Sequence, residues 1–206
     1  MKNSRHILLK RILNCSRVWL ACAAIGLFPT PGWAIPGQSL GLAETWIRTN
    51  STLNPGPNET FLIQRRSTPA QRFTFEASVL PVAGGLQTRR YSSIRTERFA
   101  IVDFINGVTP ERLEESLRSI YGIDIFTDYR QAERLLIYPA PATLVNTDLG
   151  LVLQGELRQG ERFAYWQELA YDQTGTATSG RVAVFLKEDA PLLRERLLRD
   201  RLAAEE

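Results

Sequence analysis

"ERFAIVDFINGVTPERLEESLRSIYG", Glu97 to Gly122, changes its hydrophobic period half-way along, and that change decides the fold class. Its first half is an apolar, strand-forming run interrupted only by Asp103, and Asn106-Gly107 closes it with a turn signal. Thr109 then offers a helix cap, Pro110 suits a first turn, and Glu111 favours the positive end of a helix dipole. Leu113, Leu117, Ile120 and Tyr121 recur at helical spacing as one apolar stripe, and Gly122 reads as the stop. A helix with a single apolar stripe must lie on something, and the strand before it supplies a sheet. The expected fold is therefore α+β: a mostly antiparallel sheet with one amphipathic helix packed on it and a C-terminal helix.

On the N-terminal side, "RFTFEASVL" (72–80) alternates Phe73, Phe75, Ala77 and Val79 with Thr74, Glu76 and Ser78, the period of a half-buried strand. Pro81 ends it and Gly84-Gly85 supply a turn. On the C-terminal side, "IDIF" (123–126) and "RLLIYP" (134–139) read as two short strands around a polar stretch. Residues 149–172 read as a meander. A reversal centred on Gly160 sets Leu151, Leu153 and Leu157 opposite Phe163, Tyr165 and Leu169, with Trp166 either in the core on the second face or exposed as a binding anchor with Arg162 and Glu168. "RVAVFL" (181–186) is a last strand, and Asp189 is placed to cap an Arg-rich helix over 190–206, with Pro191 in its first turn. Residues 35–60, rich in Pro, Gly, Asn, Ser and Thr, read as an extended polar segment pinned by Leu42, Trp46 and Ile47 to an α+β domain over 61–189.

Residues 1–34 have the layout of a secretory signal peptide. Lys2, Arg5, Lys10, Arg11 and Arg17 form a positive head, Val18 to Phe28 an apolar run, and Gly32 and Ala34 suit a cleavage pocket. The run is shorter than the roughly 20 residues a bilayer core needs, so no stable membrane anchor is expected after cleavage. The expected destination is the periplasm, with the extracellular space or an organelle (thylakoid) lumen as alternatives. Cleavage changes the available chemistry, because His6, Cys15, Cys22 and Met1 are the only residues of their types and all lie in the leader. Five of the 25 basic residues also lie there, leaving 20 against 22 acids and a net charge of −2 over 172 residues. The basic pI of about 9.1 is thus largely a property of the leader, and nucleic acid is not expected as a partner.

Without His or Cys after residue 34, a Ser-His-Asp triad, a cysteine nucleophile and the usual zinc sites are excluded. There is no phosphate-binding glycine loop and no D-x-D-x-D-G calcium loop. No cofactor, metal ligand or catalytic residue is assigned. Two readings of Asp103 stay open. It is either a structural carboxylate, paired with an arginine in the core or standing on the open face of the sheet, or the raised-pKa acid of a carboxylate-dependent, glycosidase-like hydrolase that needs a second acid nearby. The other bias is 19 arginines against one lysine after residue 34. The densest group, Arg89, Arg90, Tyr91, Arg95 and Arg98, is either a solvated connection or a patch for an anion or partner. The preferred expectation is an exported, soluble, non-catalytic domain that binds an envelope protein or an anionic ligand. Its contact surfaces would be this patch and the C-terminal helix.

Overall fold

A computed structural model describes residues 36–84, 92–138 and 151–205, all within Pro31–Glu206, the second of the two units into which the chain divides. The expected signal peptide lies outside the described residues. Strands β1 (Leu62–Thr68), β2 (Gln71–Ser78), β3 (Thr96–Asp103), β4 (Glu133–Tyr138), β5 (Val152–Gln159), β6 (Ala164–Tyr171) and β7 (Ala177–Phe185) form one antiparallel sheet. Their spatial order is β1-β2-β3-β7-β6-β5-β4. Helices α1 (Leu40–Thr49), α2 (Pro110–Gln131) and α3 (Ala190–Glu205) complete the α+β fold. The last strand in sequence is the middle of the sheet, so β3 and β6 meet only through β7.

Strand alternation gives the sheet two unlike faces. Phe75, Phe99, Ile101, Tyr165, Val182 and Val184 point to the first, where they form one core with α1 and α2. Leu157, Ala164, Trp166, Ala183 and Phe185 point to the second and pack with Ala190 and Leu193 of α3. Trp166 is thus buried on the second face, at 4% exposure.

Three local readings are corrected. First, "IDIF" is helical, not a strand. α2 passes through Gly122, which adopts φ 81° and ψ −179°, and continues to Gln131. That conformation is open to glycine and strained for other residues, so Gly122 is a joint between two helical halves and not a stop. Ile125 and Tyr129 of the second half are buried on the first face, and that burial outweighs the strand preference of an isolated Ile-Asp-Ile-Phe. Second, the segment expected to be extended contains α1. Ala43 and Ile47, one helical turn apart, are fully buried, and Trp46 stacks on Tyr121 with ring centres 5.8 Å apart. Leu42, expected to pin the segment, is 61% exposed.

Third, the β5–β6 register is shifted. Leu157 pairs with Trp166 and Arg158 with Tyr165, which puts Leu157 and Tyr165 on opposite faces. The cause is a long-range contact. The buried carboxylate of Asp128, on α2, accepts the backbone N–H groups of Glu161 and Arg162 at 2.8 and 3.1 Å. It also accepts the Tyr165 hydroxyl at 2.6 Å. The reversal is built around that carboxylate, and a Cβ on Gly160 would lie 2.2 Å from Asp128 Oδ2.

Candidate functional site

Asp103 ends β3 with no exposed surface. Its carboxylate accepts the backbone N–H of Asn106 at 2.9 Å and of Ile105 at 3.0 Å. It also accepts Arg112 Nη1 at 2.7 Å and Gln71 Nε2 at 3.1 Å. The Asn106 N–H and then the Arg112 guanidinium hold its pKa well below the ordinary carboxylate range. An acid so held has no proton to give at neutral pH, and none of its hydrogen-bonding partners is a second carboxyl. Its observed work is to fold the chain over from β3 into α2. Ile105, two residues on, stands 63% exposed in the turn.

The arginine-rich segment divides by direction. Arg89, Arg90 and Tyr91 lie outside the described residues. Arg95, 9% exposed, faces inward. Its guanidinium donates to Asp189 at 2.7 and 3.0 Å and to Glu188 at 2.5 Å. The bonds to Asp189 raise its pKa further above its already high ordinary value. Asp189 therefore ties the start of α3 to the sheet, with its carboxylate on Arg95. Glu97 is fully buried on the first face. Beside it the Tyr121 hydroxyl has its pKa raised, chiefly by burial and then by the Glu97 charge. Arg98, one residue on, is exposed on the second face and lies 3.3 Å from Glu76.

A cleft of about 300 Å³ opens where α3 leaves the second face, with Arg98, Arg181 and Arg196 around it and Trp166, Tyr138 and Ala183 among its walls. Arg181 Nη2 lies 2.8 Å from Glu168, whose carboxylate also accepts Trp166 Nε1 at 3.1 Å. Arg196 lies 3.7 Å from Asp200 and donates to the Ala83 carbonyl. Two regions picked out separately in the sequence, the Arg98 segment and the C-terminal helix, thus meet at one place. Arg181, which the sequence reading passed over, joins them. Its signal was available, because in "RVAVFL" it is the polar residue in step with Ala183 and Phe185. Beyond the cleft the same face carries Arg72 and Arg66, directly opposite one another across β2 and β1 and both exposed.

A larger depression, about 530 Å³ between β4 and α3, sets Glu133 and Glu195 beside Arg134 and Arg194, so its charges cancel. Among the described residues no group of three or more His, Cys, Asp or Glu is placed to hold a metal ion, and no helix is long and apolar enough to cross a membrane. Compared with protein-family models, curated proteins and solved structures, the chain matches none.

Proposed function

We propose that this chain is a non-catalytic binding domain of the cell envelope that takes an anionic group, from a protein or a small ligand, at the arginine-rimmed cleft of the second face. The carrying observation is the convergence of Arg98, Arg181 and Arg196, from three separate elements, around one opening beside Trp166 and Tyr138. Guanidinium groups suit bidentate pairing with carboxylate and phosphate. Arg181 is held by the mostly buried Glu168, whereas Arg98 with Glu76 and Arg196 with Asp200 form exposed ion pairs. Such pairs contribute little, so an incoming anion can replace them at small cost. The hydrolase alternative needs a protonated acid and a second carboxyl across a gap. Asp103 does not offer the first, since Arg112 and the turn amides keep it ionised.

The test is a titration of the protein with inorganic phosphate, citrate and a glutamate-rich peptide, read by tryptophan fluorescence and melting temperature. Arg98→Gln with Arg181→Gln is expected to weaken the binding of whichever anion responds by about tenfold or more. Equal affinity in the double variant would remove the cleft from consideration. Arg95 is left intact because its loss would loosen α3 and confound the result.

A further inference from the structure

We infer that one corner of the second face docks on an anionic lipid surface, with Phe104 and Ile105 entering the interface and Arg66 and Arg72 meeting the headgroups. This rests on the reading of the second face as anion-binding and names a partner for its far end. Phe104 and Ile105 are adjacent, 67% and 63% exposed, at the turn after β3. They are held out rigidly. Asp103 binds the amides of Ile105 and Asn106 and the side chains of Asn106 and Arg112, and Phe104 N–H donates to the Ala70 carbonyl at 3.0 Å. Asp103 thus spends a fully buried carboxylate on holding up two apolar side chains in water.

Arg72, the second residue of β2, lies two residues after Ala70, about 7 Å away at strand rise. It stands opposite Arg66, and the two have no acidic partner among the described residues. Directly opposed like charges on neighbouring strands are destabilising and call for a counter-charge from outside. The acids at this end do not supply it. Asp103 is bound to Arg112, Asp172 closes its own turn through Thr174 and Thr176, and Glu111 lies on α2, over the other face. A protruding apolar pair suits a bilayer interface, which yields to any protrusion, whereas a protein partner would have to provide a matching pocket. Basic residues beside an apolar tip add attraction to anionic headgroups.

The experiment uses the protein as isolated from the producing cell, carrying Phe104→Trp, with vesicles of phosphatidylcholine alone or mixed equally with phosphatidylglycerol. The expected result is a blue-shifted emission from the introduced indole, after subtraction of the parent protein, with the mixed vesicles only, and its quenching when the lipids carry brominated chains. Arg66→Gln with Arg72→Gln is expected to raise the lipid concentration at half-saturation by about tenfold or more, with a melting temperature no lower than the parent's showing that the fold is intact. An unmoved emission overturns the inference, as does binding indifferent to lipid charge, or a signal that responds to an acidic protein and not to vesicles. The soluble-anion titration separates the two failures, since a working cleft with a silent tip removes only the lipid surface.

Discussion

On the first face of the sheet, α1 and α2 are held by apolar and aromatic burial: Ile47, Phe75, Phe99, Leu117 and Tyr121 have no exposed surface. On the second face, α3 covers a smaller cluster around Trp166 and Phe185, and its start is tied down by the buried pair Arg95–Asp189. The rest of that face is open and carries Arg66, Arg72, Arg98 and Arg181, all exposed. The same seven strands therefore present one closed and one partly open surface, because alternate residues of each strand face opposite ways. Stability concentrates where the surface is closed, and the proposed recognition has room where it is not.

The largest expected effect tests how α3 is held. Arg95→Ala leaves Asp189 buried without its cation and should cost about 3–5 kcal/mol of unfolding free energy, measured by urea titration. A loss under about 1 kcal/mol would show α3 to be held as α1 and α2 are, and would break the contrast.

The next concerns Asp103, where the two faces share a corner. Its carboxyl is held well below its usual pKa in the folded state, so as pH falls the unfolded chain takes up the proton first and acid favours unfolding. This contribution is complete at neutral pH and declines as pH drops below about 4. The stability gap between the native protein and Asp103→Asn should therefore narrow between about pH 6 and about pH 3. A gap constant over that range would contradict the geometry.

The smallest effect sharpens the contrast within one strand. Ala100→Ser, between Thr74 and Arg181 on the open part of the second face, should change stability by about 0.5 kcal/mol or less. Ile101→Ser, the next residue and facing the other way at 7% exposure, should cost about 3 kcal/mol or more in the same denaturation assay. Equal costs would mean that the two faces are closed alike.

The alternation of β2 and β3 and the stripe of Leu113, Leu117, Ile120 and Tyr121 were legible because each is a local pattern with many repeats. α1 was not, since its buried residues amount to one i, i+4 pair, Ala43 and Ile47, in a stretch crowded with turn-forming residues. Gly122 misled for a similar reason, because a glycine that ends a helix and one that joins two halves look the same until the burial of Ile125 and Tyr129 is known. The candidate site was half visible. Arg98 and the C-terminal arginines stood out by density, while Arg95, equally conspicuous, proved to be an internal tie. Asp103 was conspicuous for the right reason, a charge in an apolar run, and its role turned on Arg112, nine residues away across a turn.

The sequence by itself determined the alternation of the strands, the apolar stripe of α2 and the absence of histidine and cysteine after residue 34, because periodicity and composition are written in the covalent chain. Tertiary structure alone decided the β5–β6 register, the burial of Glu97 and the meeting of Arg98, Arg181 and Arg196. Those depend on contacts between residues far apart in sequence, such as Asp128 with the amides of Glu161 and Arg162, and no local pattern encodes which distant partner a side chain will find.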